Sequence, residues 1–142
     1  MPLDPVAQAV CDRLREAGNP TVGKLGVAQA RQGLRNWNLL APAGPDMAAV
    51  EDVAEPVPMR VYRPSDDVRP VVLWMHGGGG ALGSIEEHDA FCRHLAFEAG
   101  STVVSVGYRL SPEHPFPAGL DDCWAALQWA AGQPGGDRLA VA

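Results

Sequence analysis

The sequence of 142 residues lacks any apolar run near the ~18 residues that a membrane-spanning helix requires, so no membrane span is expected. It also lacks a basic excess. Eleven Lys and Arg stand against seventeen Asp and Glu, a net charge of -6, and no basic patch offers a nucleic-acid footprint. Cysteine is scarce: Cys11, Cys92 and Cys123 are odd in number, widely spaced and set in predicted helices. Neither a disulfide framework nor a zinc knuckle follows, and the three read as small core residues in a reducing compartment. The opening Met1-Pro2-Leu3-Asp4-Pro5 has neither the basic nor the apolar region of a secretory signal, and no internal repeat or low-complexity tract is present. A cytoplasmic enzyme is the default expectation. With 46% hydrophobic residues, a chain of this length can close one core and bury roughly two-thirds of its unfolded surface.

Asp4 is placed to cap a first helix with Pro5 at its first turn and Val6, Ala9, Val10, Leu14 and Ala17 at helical spacing, ended by Gly18-Asn19-Pro20. A second helix is expected from about Gly26 to Asn38, with Val27, Ala30, Leu34 and Trp37 on one face. Residues 1–45 thus form a helical arm, closed by the Ala/Pro/Gly-rich loop from Ala41 to Pro45. Strand character follows at Val50 to Val53 and at Val57 to Arg63, where Pro56 and Pro58 suit edge positions. Val71 to Met75 has no polar alternation and reads as a strand covered on both faces. Ser84-Ile85-Glu86-Glu87 fits a capping box, opening a helix with Phe91, Leu95 and Ala99 on one face and Gly100 at its end. Thr102 to Val106 is a second buried strand. Pro117 to Ala131 carries Leu120, Cys123, Trp124, Leu127 and Ala131 at helical intervals, with Asp121 and Asp122 complementing the dipole, and Arg138 to Ala142 begins another strand. This β-α-β-α-β order predicts an α/β fold with a mostly parallel sheet over residues 46–142.

His76-Gly77-Gly78-Gly79-Gly80, directly after the first buried strand, is the densest signal in the chain. Consecutive glycines reach positive φ and let backbone N–H groups approach a ligand. Three meanings are open. Gly78, Gly80 and Gly83 spell G-x-G-x-x-G, a dinucleotide fingerprint, but the next strand leads into Gly107-Tyr108-Arg109 without the acid that would hold a ribose. Arg109 facing a 2′-phosphate keeps that remote alternative alive. A merely flexible turn would leave His76 unexplained. The third meaning is an oxyanion hole, in which fixed backbone N–H groups stabilise the charge that ester attack builds on a carbonyl oxygen.

His76 to Gly79, the spacing to Gly83-Ser84 and His88-Asp89, and Tyr108-Arg109-Leu110-Ser111-Pro112-Glu113-His114-Pro115-Phe116-Pro117-Ala118 together resemble the hormone-sensitive-lipase group of bacterial carboxylesterases, of the α/β-hydrolase fold. The resemblance runs over essentially the whole chain, because that group also begins with a two-helix arm forming part of a cap. It implies oxyanion N–H groups on Gly78 and Gly79, a loop shaped by His76 and Gly77, and supports buried beneath the site at Tyr108, Arg109 and Glu113, with Arg109 and Glu113 as a loop-holding ion pair. It implies a small ester as substrate, and no cofactor or metal. Two departures stand out. Gly80 occupies a position where the group carries an aromatic or bulky apolar residue, which should loosen the loop and enlarge the acyl pocket. Glu55-Pro56-Val57-Pro58 leaves little room for the usual hairpin turn between the first two strands.

The third departure is the nucleophile. Ser65, Ser84, Ser101, Ser105 and Ser111 all lack the flanking glycines of a G-x-S-x-G elbow, and His76, His88, His94 and His114 precede the point where such a serine would stand. Asp137 to Ala142 resembles the strand that runs into the elbow, so the expectation is the N-terminal half of an esterase, inactive alone. Such a half would self-associate or pair with a missing C-terminal half. A non-catalytic α/β module or a truncated remnant is the alternative.

Overall fold

The computed structural model describes residues 2–16, 18, 24–38 and 42–142. The arm comprises α1 (Pro5–Glu16) and α2 (Val27–Asn38), and Asp4 Oδ1 accepts from the Val6 and Ala7 amides as the expected N-cap. Of the apolar positions expected inside, Ala30 is buried, whereas Val6 and Leu34 are exposed. Ala17 and Asn19-Pro20, and the side chains of Val10 and Trp37, lie outside the described residues.

A five-stranded mixed sheet follows, in the order β1-β2-β4-β3-β5. Its strands are β1 (Ala49–Val53), β2 (Met59–Arg63), β3 (Val71–Trp74), β4 (Thr102–Val106) and β5 (Leu139–Val141). β3, β4 and β5 run parallel, while β2 pairs antiparallel with both β1 and β4. The hairpin β1-β2 forms despite its prolines: Val53 pairs with Met59, and residues 54–58 make the connection with Val57 buried. β4 lies in the middle and is buried at every residue, Thr102 and Ser105 included, as a strand without polar alternation requires.

Two helices sandwich the sheet. On one face α4 (Ala118–Ala131) packs Ala126 and Ala130 against Met59, Val61, Val71, Leu73, Val104 and Val106; on the other α3 (Asp89–Ala99) packs Cys92 and Ala96 against Tyr62 and Val103. Each fully buried Val or Leu contributes roughly 1.5–3 kcal/mol. Both helices differ from the sequence expectation in the face they bury. Phe91 and Ala99 of α3, and Leu120 and Trp124 of α4, are exposed, because small residues at four-residue spacing let each helix sit close to the sheet and turn its larger side chains outward. Only Cys92 of the three cysteines is fully buried, and all three are free thiols.

The capping box forms in half. Ser84 Oγ accepts from the Glu87 amide at 3.2 Å, but a 3-10 turn, Glu86–His88, intervenes before α3 begins at Asp89. Gly100, at φ +56, closes α3 as expected.

Candidate functional site

Parallel pairing of Val71 to Trp74 with Thr102 to Ser105 sets the carboxyl ends of β3 and β4 side by side, so the loops that follow them meet. The first is the glycine run. His76 turns inward and is only 3% exposed, its ring stacked on Tyr108 with centroids 4.4 Å apart and on His88 at 5.5 Å. His76 Nδ1 lies 3.0 Å from the Gly77 carbonyl oxygen, a contact that requires the proton on Nδ1, and the Tyr108 hydroxyl donates to the His76 carbonyl. Burial, and then the neighbouring His76, holds His88 below its ordinary pKa, which favours a neutral ring in the stack.

Gly78 takes φ +133, and its carbonyl accepts from the amides of Ala81 at 3.2 Å and Leu82 at 3.0 Å. The Gly78-Gly79 peptide is trans, so its N–H points opposite to that carbonyl. The Gly79 N–H is therefore aimed out of the turn. Among the described residues neither the Gly78 nor the Gly79 amide has an acceptor, and both residues are exposed. Glycine is needed for two close approaches: a Cβ at Gly78 would strike the Leu82 carbonyl, and one at Gly83 the His76 ring. Gly79 and Gly80 border a cleft of about 410 Å³ whose walls include Met75, Tyr108, Phe116 and Leu120. An unpaired N–H such as that of Gly79, fixed by backbone bonds at the rim of a largely apolar cleft, is suited to an oxygen that gains negative charge.

Gly80 lines the cleft. Its carbonyl accepts from the Ser111 amide at 2.8 Å, which ties the glycine run to the second loop. A Cβ at Gly80 would meet nothing within 4 Å, although φ +70 disfavours any side chain. Gly80→Ala is expected to cost about 1 kcal/mol in a urea melt, through backbone strain alone.

The second loop corrects the expected supports. Tyr108 is half-buried under His76, but Arg109 and Glu113 are exposed and do not pair with each other. Arg109 donates its amide, at 2.8 Å, and its guanidinium to the carboxylate of Asp122 on α4. Glu113 takes both its bonds from Arg31 on α2. The physical reason lies in the helix that follows: Asp122 is buried on its inner face and claims the nearest cation, leaving Glu113 to the arm. With Arg109 engaged in this way, the 2′-phosphate alternative loses the residue it relied on.

Arg31 and Asp122 are the site residues that sequence reasoning missed. Asp122 precedes Ala126 and Ala130 at steps of four, so the small-residue face of α4 marked it as inward, while Asp121 alone faces solvent. Arg31 follows Ala30, the one buried arm residue among those described, and no spacing rule links it to a loop some 80 residues away.

Hydrogen bonds from Arg109 hold Asp122 below the usual carboxylate range against the opposing effect of burial, and Arg31 lowers Glu113 to about 2. A depressed folded pKa gives stability that is present above the unfolded value and lost as pH falls through the folded one. Stability is therefore expected to decline in two stages, first below about pH 6.5, where the unfolded chain takes up the proton that folded His88 resists, and again between about pH 4.5 and 2 through Asp122 and Glu113, as followed by circular dichroism in urea at each pH. Asp122→Ala removes the buried acceptor of the Arg109 amide and is expected to cost about 2 kcal/mol at pH 7 in the same melts.

Among the described residues no helix is long and apolar enough to cross a membrane. Residues 72–142 match the family model described as the alpha/beta hydrolase fold. The chain is 45% identical over 129 residues to the carboxylesterase NlhH of Mycobacterium tuberculosis, covering 82% of this chain and 40% of that protein. It is 42% identical over 130 residues to the esterase LipI of the same organism, with the same coverage. Among solved structures, a hyperthermophilic esterase from the archaeon Pyrobaculum calidifontis superposes with a TM-score of 0.82 at 37% identity, covering 99% of this chain and 49% of the other. The chain thus spans about 40% of the length of these curated relatives and about half of that solved structure.

Proposed function

Because the chain belongs to the α/β-hydrolase fold family and resembles carboxylesterases over most of its length, we propose that it supplies the oxyanion-binding half of a serine carboxylesterase acting on short-chain esters. The observation that carries this is the unpaired amide of Gly79 at the rim of the cleft between the β3 and β4 loops, with the unpaired amide of Gly78 next to it in the chain. The ester carbonyl oxygen would accept from these N–H groups as a serine outside these 142 residues attacks, and His76 and Tyr108 would hold the loop beneath them. Residues 1–45 would contribute to the cap over the cleft. Three free thiols support a reducing compartment such as the cytoplasm.

The open side of α4 supports the same reading. Leu120, Trp124 and Val141 are each more than half exposed and flank a shallow apolar groove of about 160 Å³ beside β5, whose one partner among the described strands is β3. We assign this face to the serine-bearing remainder of the fold. Without that remainder, the chain is expected to self-associate in sedimentation velocity at micromolar concentration. Leu120→Lys with Trp124→Lys should return it toward monomer; a compact, cooperatively unfolding wild-type monomer would contradict the assignment.

Reading the coding sequence past codon 142 tests the functional proposal directly. A continuing frame with Gly-Asp-Ser-Ala-Gly or a similar elbow is expected. A stop, with no elbow-bearing partner co-purifying, would favour a non-catalytic module.

A further inference from the structure

One guanidinium joins the arm to both loops of the site. Arg31 Nε donates to the Ala81 carbonyl at 2.8 Å, Nη2 to the Ser111 carbonyl at 2.8 Å, and Nη1 and Nη2 to the two Glu113 oxygens at 2.8 and 2.9 Å. Each backbone acceptor is already part of the glycine turn or tied to it. The Ala81 amide donates to Gly78, and the Ser111 amide donates to Gly80. The bonds therefore close a ring: Gly78 to Ala81, Ala81 to Arg31, Arg31 to Ser111, and Ser111 back to Gly80. The peptide that aims the Gly79 N–H lies inside this ring.

Geometry decides what Arg31 contributes. Its planar fork spends one face on a carboxylate and keeps two further donors for carbonyls, an arrangement that a lysine ammonium cannot reproduce. The side chain is 22% exposed and Glu113 55%, so the ion pair alone is screened and of small value. The carbonyl bonds are the part that fixes backbone orientation. We propose that Arg31 is a positioning residue: docking of α2 orients the 78–82 turn through the Ala81 and Ser111 carbonyls, so the arm sets the direction of the oxyanion donors as well as covering the cleft. This rests on the reading of Gly78 and Gly79 as those donors.

Hydrogen–deuterium exchange on the full chain, read by mass spectrometry, tests the coupling with Arg31→Gln, Arg31→Lys and Glu113→Gln. In Arg31→Gln, peptides covering 78–82 are expected to exchange at least tenfold faster together with α2, while β4 stays protected. Glu113→Gln keeps the Ala81 and Ser111 bonds and should accelerate the 78–82 peptides less than threefold. Arg31→Lys should fall between wild type and Arg31→Gln. Acceleration of α2 with the 78–82 peptides within twofold of wild type would overturn the proposal, leaving Arg31 as an anchor of the arm only. If Arg31→Gln deprotects β4, the decision passes to Arg31→Lys, and wild-type exchange at 78–82 there overturns it equally. The readout needs no turnover. The coupling can hold where the reading of Gly78 and Gly79 as oxyanion donors fails, and flat exchange would sink the coupling even where that reading stands.

Discussion

Incubated alone with p-nitrophenyl acetate, the 142-residue chain is expected to release p-nitrophenolate on the order of a millionfold more slowly than a complete serine esterase, with no labelling by a serine-directed phosphonate. The expectation comes from where its serines stand. A hydroxyl becomes a nucleophile when a base accepts its proton, and among the described residues no serine oxygen is hydrogen-bonded to a histidine ring. Ser65 accepts from Arg69, Ser84 caps the turn before α3, and Ser101 donates to the Ala99 carbonyl. Ser105 is fully buried in the central strand, out of reach of any ester. Ser111 sits nearest the cleft, but its hydroxyl points to the His114 carbonyl at 3.4 Å. What remains is a donor pair without an attacking group. Hydrolysis abolished by the phosphonate would refute this account, and mass spectrometry of the labelled peptide would name the serine responsible.

The second large effect is expected from Gly78→Ala. At φ +133 an L-residue is strained, and the new methyl would also strike the Leu82 carbonyl, so the 78–82 turn must open. The Ala81 and Leu82 bonds to the Gly78 carbonyl would lengthen, and the Gly79 N–H, held opposite to that carbonyl, would swing with them. With the serine-bearing half supplied, kcat is expected to fall by roughly 10²–10³, the size of losing one oxyanion donor, while KM changes little. Gly79→Ala makes the useful comparison, because open space surrounds its Cβ position and only the positive φ opposes it. A smaller loss there than at Gly78 is the result that ties the effect to the turn. Equal losses would detach the effect from the turn, and no loss at either position would separate the glycine run from catalysis.

β3 and β4 were legible because they carry no polar alternation: Thr102 to Val106 is buried throughout, and Val71 to Trp74 is buried or half-buried at each residue. The glycine turn was legible for a different reason, since a run of residues without Cβ has few structural uses. Helix orientation was not. Periodicity weighs large apolar residues, whereas α3 and α4 approach the sheet through Cys92, Ala96, Ala126 and Ala130, whose small size carries little signal. The ion pairs failed for a related reason. Arg109 and Glu113 lie four residues apart and look like partners, yet the buried carboxylate of Asp122 outcompetes the exposed one. The partner of Glu113 comes from an element whose docking no local pattern encodes.

The manner in which the Gly79 amide is aimed has a consequence for genetics. The donor itself is a main-chain N–H, and among the twenty residues only proline lacks one, so a scan by alanine along 77–83 deletes no donor there. Each hit along 77–83 would register as strain and be classed with folding defects elsewhere. Separating the two takes chemistry at the main chain: an ester in place of the Gly78-Gly79 amide, introduced by semisynthesis, erases the N–H while leaving every side chain and φ angle where it is.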